Sequence, residues 1–208
     1  MTWTTSEKGM SSWSIVSKMI LARSAFLPSL VYNMAMVKVG GRRWYDRIDE
    51  TIIIGALPFK SHVTKLVEEE NVKGVVSLNE SYELIIAAKR ETWEANDVRF
   101  LHLPTVDLMK APSLENLVEG VSFIEDVAAS GGTSYVHCKA GRSRSATLVS
   151  CYIMKKNGLS PEEAVEVIRA KRPHVRIWPS QLDAMSKFHE SLQVIEESTS
   201  RKEPKKAH

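Results

Sequence analysis

The sequence predicts an α/β fold: a single domain with a mostly parallel central sheet flanked by helices. Three observations carry that reading. Short apolar runs alternate with amphipathic helical stretches from Asp49 to beyond Leu192, the pattern left by crossover connections between parallel strands. The candidate strands, such as Ile52-Ile53-Ile54 and Val75-Val76, are apolar at successive positions, as strands covered on both faces are. Finally, Thr133 to Met154 reads as a buried strand, a tight loop and a helix that is apolar almost all round.

Composition agrees with one globular domain. The chain has 208 residues, 43% hydrophobic and 25% charged, enough for one sizeable core. A net charge of +3 is too small to argue for a nucleic-acid partner. Two cysteines argue against a disulfide framework and point to a reducing compartment.

In chain order, residues 1–13 are polar and are expected to be disordered. Between Met10 and Tyr45 there are five basic residues and no acidic one, interleaved with apolar residues such as Ile15, Met19, Phe26 and Leu30. The longest uncharged run, Ser24 to Val37, is 14 residues and contains Pro28. A spanning helix needs about 20 apolar residues. Residues 1–43 therefore read as a basic amphipathic targeting or membrane-anchoring segment; a helix packed on the domain is the alternative. The main domain is placed at 44–195. Its expected strands are Asp49 to Leu57, Lys73 to Leu78, Arg99 to Leu103 and Thr133 to His137. Its expected helices are Ser61 to Asn71, Tyr82 to Trp93, Ser113 to Ala129, Ser145 to Met154, Pro161 to Lys171, and one from Pro179 past Leu192. Ser113 reads as an N-cap, and Ser160-Pro161-Glu162-Glu163 as a capping box with proline at the first helical position. Residues 196–208 read as a disordered charged tail.

The chemistry gathers at His137-Cys138-Lys139-Ala140-Gly141-Arg142-Ser143-Arg144-Ser145. A cysteine that ends a strand and faces a helix N-terminus sits among inward-pointing N–H groups. That setting favours a thiolate, and the thiolate is the nucleophile. Arg144 can present a planar fork to two phosphoryl oxygens. Ser145 can donate to the sulfur and ease its departure. Cleaving a phosphate ester leaves an alkoxide that needs a proton. Asp107, in the loop Val106-Asp107-Leu108 after the third strand, can supply it; Asp97 and Asp126 sit worse. His137 is expected to hold Cys138 through the loop backbone. Lys139 and Arg142 either lie in solvent or meet a second phosphate. The loop residues Lys139, Ala140, Gly141, Arg142, Ser143 and Arg144 form the candidate substrate-binding set. Cys151 reads as a core residue.

This His-Cys-x5-Arg-Ser run resembles the dual-specificity branch of the cysteine-dependent protein tyrosine phosphatases. Trp44 to Asp49, Leu57-Pro58, Asn79 to Glu83, Thr105-Val106-Asp107 and Pro179 to Leu182 extend the resemblance toward its mitochondrial phosphatidylglycerophosphate phosphatases. Ser81 departs from that pattern, as does Trp178, which stands before Pro-Ser-Gln where an Arg is typical. The resemblance implies Cys138 as nucleophile, Arg144 as phosphate clamp, Asp107 as general acid, and neither metal nor cofactor. It also implies an anionic phospholipid substrate, a step toward cardiolipin, and attachment to the inner mitochondrial membrane on the matrix side. Phosphoproteins are expected as secondary substrates. A protein phosphatase and a phosphate-binding pseudoenzyme are the competing readings.

Overall fold

The computed structural model describes residue 24, residues 26–107 and residues 110–200. The expected disorder of residues 1–13, most of the basic segment, Leu108, and residues 201–208 of the tail lie outside the described residues.

A five-stranded sheet runs in the order β1-β2-β5-β3-β4, with β1 Tyr45–Arg47, β2 Ile52–Gly55, β3 Val72–Ser77, β4 Arg99–His102 and β5 Thr133–His137. β1 pairs antiparallel with β2, and all other pairings are parallel. β5 occupies the centre, with Val136 opposite Ile54 on one side and Val76 on the other. Side-chain alternation divides the apolar strands between two layers. Ile52, Ile54, Val76 and Val136 enter a large core with the helices α4 Leu114–Ala129, α5 Arg144–Asn157, α6 Pro161–Lys171 and α7 Pro179–Ser200. Ile53, Val75 and Tyr135 face the other way, onto α2 Lys60–Glu68 and the short α3 Arg90–Glu94, through Val63, Leu66 and Trp93. This double burial is why Ile52 to Ile54 and Val75-Val76 are apolar at successive positions.

The caps fall where the sequence puts them. Ser113 Oγ accepts from the Asn116 amide at 3.2 Å. Ser160 and Glu163 form a reciprocal box at 2.9 and 3.3 Å. Gly158, at φ 65°, ends α5 in the left-handed conformation.

Three elements differ from expectation. The helix expected over Tyr82 to Trp93 is two pieces, a 3₁₀ helix Ser81–Ile86 and α3. Glu83 turns its carboxylate inward, and the Ala88 amide bonds to Pro58 O at 2.7 Å, which pulls the chain out of helical register. The strand β1 was not expected; it is three residues long and polar. α7 continues to Ser200, into the segment expected to be disordered.

Within the N-terminal segment, Phe26–Val39 is a helix, α1. Phe26 and Leu30 are buried in a small cluster with Leu57 and Ala87, flanked by Trp44, Phe59 and Tyr82. Leu27, Val31 and Tyr32 are exposed. Among the described residues, no helix is long and apolar enough to cross a membrane.

Candidate active site

The site lies beyond the carboxyl ends of the parallel strands, where α/β sheets commonly place ligands. β5 delivers Cys138, and the loop to α5 wraps around its sulfur. Gly141 makes that wrap possible. Its φ is +63°, and a Cβ there would lie 2.4 Å from the Gly55 backbone. Arg172, almost wholly buried, ties the loop from outside. It donates from Nε to Gly141 O at 2.7 Å and from Nη2 to Ala140 O at 3.1 Å, and its remaining amino group meets Asp46. With those carbonyls turned outward, loop amides are left to face the sulfur.

Cys138 is 4% exposed, and its Sγ lies 3.3 Å from Ser145 Oγ. Burial alone would raise the thiol pKa. The Arg144 charge, the Ser145 hydroxyl and the amides of Ser145 and Arg142 outweigh burial and hold it below the ordinary thiol value. Cys151 is the contrast: burial in the core pushes its thiol up. Both cysteines are free.

Arg144 is 2% exposed and is fixed by a lattice of acceptors. Nη1 donates to Glu83 Oε2 at 2.7 Å, Thr105 O at 2.8 Å and Leu78 O at 3.2 Å; Nη2 donates to Glu83 Oε1 at 3.1 Å. Nε is buried with no partner. An unpartnered guanidinium N–H beside a thiolate is a donor available to an arriving anion.

Asp107 stands over the cysteine loop. Its Oδ1 lies 3.3 Å from Arg144 Nη2, and its other oxygen accepts from the Lys139 ammonium. Lys139, expected to be solvated or to meet a second phosphate, is thus paired with the candidate acid. Arg142 donates from Nε to His174 O at 3.1 Å. Ser143 donates to Gln181 Oε1 at 2.8 Å, and Gln181 Nε2 reaches Lys110 O at 3.0 Å, so α7 braces the loop. His137 is buried beneath the site with Nδ1 unpartnered. Burial pushes its pKa down to about 3, against a weaker opposing pull from the Cys138 backbone, so the ring is neutral at physiological pH.

Cys138, Lys139, Ala140, Arg142, Ser143 and Arg144 line one cavity of about 230 Å³ together with Asp107. Gly141, Ser145 and His137 shape the loop from behind. Sequence reasoning missed several neighbours. Glu83 is fully buried as the partner of Arg144; its only sequence signal was membership of the Asn79 to Glu83 stretch. Arg172 carried no signal. Ser29, Tyr32 and Asn33 of α1 and Arg176 and Trp178 before α7 complete the cavity wall.

Known proteins resemble this chain across the domain that carries the site. The dual specificity phosphatase catalytic domain family matches residues 58–191. The rat protein phosphatidylglycerophosphatase and protein-tyrosine phosphatase 1 is 45% identical over 176 residues, covering 83% of this chain and 91% of its own. Arabidopsis phosphatidylglycerophosphate phosphatase PTPMT2 is 38% identical over 178 residues, covering 85% of this chain and 77% of its own. The crystal structure of PTPMT1 in complex with PI(5)P superimposes with a TM-score of 0.72 at 43% identity, covering 74% of this chain and 99% of that one. The chain belongs to the dual-specificity phosphatase family, alongside relatives named for both phosphatidylglycerophosphate and protein-tyrosine hydrolysis.

Proposed function

We propose that this protein is a phosphomonoesterase that converts phosphatidylglycerophosphate to phosphatidylglycerol through a phosphocysteine on Cys138. The observation that carries the reading is the buried, pKa-lowered thiol in one cavity with the unpartnered Nε of Arg144 and the carboxyl of Asp107. The names of the relatives direct it to this lipid.

The steps follow from the geometry. The substrate phosphate enters the loop, where amides and Arg144 bind its oxygens. It competes with Asp107 for the cations Lys139 and Arg144. The Cys138 thiolate attacks phosphorus and the P–O ester bond breaks. Asp107, as a carboxylic acid, gives its proton to the departing alkoxide. Water then attacks the phosphocysteine while the Asp107 carboxylate takes its proton. The S–P bond breaks and Ser145 donates to the leaving sulfur. Inorganic phosphate and the lipid alcohol are the products.

The finer reading places the enzyme on the matrix side of the inner mitochondrial membrane, in the route to cardiolipin. The basic, acid-free stretch from Met10 to Tyr45 supports it, since each basic residue near an anionic surface adds about 1 kcal/mol. Phosphotyrosine proteins are the second substrate class, favoured by the double name of the relatives. The test measures phosphate release from phosphatidylglycerophosphate vesicles beside a phosphotyrosine and phosphothreonine peptide panel. A higher kcat/KM on the lipid is expected. Turnover confined to the peptides would contradict the lipid assignment.

A further inference from the structure

The arginines around the cavity divide into two groups. Arg144 is held by Glu83, Arg172 by Asp46, and Arg43 by Asp46 and by Lys171 O. Lys139 is held by Asp107. Arg42, Arg142 and Arg176 have no carboxylate partner among the described residues. Arg142 engages only its Nε, leaving both terminal amino groups without a hydrogen bond among the described residues. Arg42 carries a buried Nη1 with no partner. Its guanidinium lies over the Tyr32 ring at 5.8 Å, and that of Arg176 over the Trp178 ring at 4.5 Å. Stacking on a ring holds a guanidinium in place while leaving its edge N–H groups available.

These cations are neighbours. The Arg176 amide donates to Arg142 O at 2.8 Å, tying the segment before α7 to the catalytic loop. Arg142 is destabilised as a cation first by burial and then by Arg42 and Arg176. His174 sits among the same charges: burial, then Arg172, Arg42, Arg142 and Arg43, hold it neutral with a pKa near 3. Arg142, Arg176, Tyr32 and Trp178 share the cavity that holds Cys138. Arg42 borders the adjoining depression with Gly41 and His174. Clustered, partly desolvated cations without counter-charges are unfavourable until an anion arrives.

We infer that Arg42, Arg142 and Arg176, walled by Tyr32 and Trp178, form a second anion subsite that takes a phosphodiester of the substrate while the catalytic loop holds the phosphomonoester. The inference rests on the lipid reading above. It names the feature separating a lipid with two phosphates on one glycerol from a phosphopeptide with one. It also assigns Lys139 elsewhere, to Asp107.

The test compares wild type with Arg42→Ala, Arg176→Ala and the double variant. Substrates are vesicular phosphatidylglycerophosphate, a short-chain monomeric form of the same lipid, and nitrophenyl phosphate. The readout is the ratio of kcat/KM on each lipid to that on nitrophenyl phosphate, which also corrects for any loss of folded protein. A charge-assisted hydrogen bond predicts a fall in that ratio of roughly tenfold or more per arginine, on vesicles and monomers alike. Arg42→Lys and Arg176→Lys retain charge and should recover part of it. Glycerophosphoglycerol, a diester without the monoester, should inhibit wild type more strongly than the double variant. A ratio that falls on vesicles alone would assign the arginines to membrane attraction and overturn the subsite. Parallel losses on all substrates, or unchanged ratios, would overturn it too while leaving the lipid activity of wild type standing. Wild type that releases no phosphate from either lipid form would overturn both the functional reading and the subsite.

Discussion

The buried Cys138 thiol is held below its ordinary pKa because local donors outweigh its desolvation. Ser145, Arg144 and the loop amides do that work, so removing one should raise the thiol pKa. Ser145→Ala is expected to move the pH midpoint of Cys138 alkylation by iodoacetamide upward; an unmoved midpoint would show that the hydroxyl does not support the thiolate. Because the native pKa is lowered, alkylation should persist to lower pH than for an ordinary thiol and fade as pH falls through the shifted value. Glu83 is the second residue on which the site depends. Glu83→Ala removes the fully buried partner of Arg144 and leaves only the partly exposed Asp107 carboxylate beside it, a loss of up to about 3–5 kcal/mol for a broken buried pair, readable as a lowered denaturant midpoint. A midpoint within error of wild type would contradict that account. Asp107→Asn should cut kcat by roughly 10²–10⁴ on the lipid, and less on nitrophenyl phosphate, whose leaving group needs no proton. Equal losses on both would give Asp107 another role. Cys138, Arg144 and Ser145 were legible because one loop fixes their spacing. Glu83 lies 61 positions from Arg144, and Arg172 lies 31 from Gly141. No local pattern encodes such partnerships.

At the scale of elements, local rules worked where local forces dominate. Ser113 and Ser160 announce α4 and α6 because their hydroxyls complete the first turn. The stretch from Tyr82 to Trp93 was misread because Ala87 and Ala88 favour helix in isolation, yet both are buried where the chain passes Pro58. β1 escaped notice because three polar residues carry no strand signal; Asp46 is there to meet Arg172 and Arg43. For α1 the packed-helix alternative describes Phe26 to Val39, where Phe26, Leu30 and Asn33 face inward. Ser29 and Tyr32 thereby reach the cavity wall. Leu30→Ala removes a buried side chain whose loss costs about 2–5 kcal/mol in typical cores. It should loosen α1 and speed tryptic cleavage after Lys38; cleavage at the wild-type rate would mean that the packing contributes little.

For the whole molecule, the topology brings the working loops to one edge. The segments after β3, β4 and β5 supply Glu83, Asp107 and Cys138, and the segment after β2 bonds to the cysteine loop through Leu57 N and Lys139 O at 3.3 Å. The alternation of strands and helices was enough to predict the parallel part of this sheet, because parallel strands require crossovers. The proposed mitochondrial location turns on residues 1–45, and a fluorescent fusion of that segment is expected at mitochondria; a diffuse cytosolic signal would contradict it. The proposed function stands on a phosphocysteine formed from phosphatidylglycerophosphate. The most direct measurement mixes that lipid with the Ser145→Ala variant, in which departure of the sulfur is slowed, quenches at short times and maps the phosphate by peptide mass spectrometry. The account predicts one phosphate on the peptide bearing Cys138, appearing before free phosphate and absent in Cys138→Ser. Lipid turnover with no phosphorylated Cys138, or with the phosphate on another residue, would contradict it.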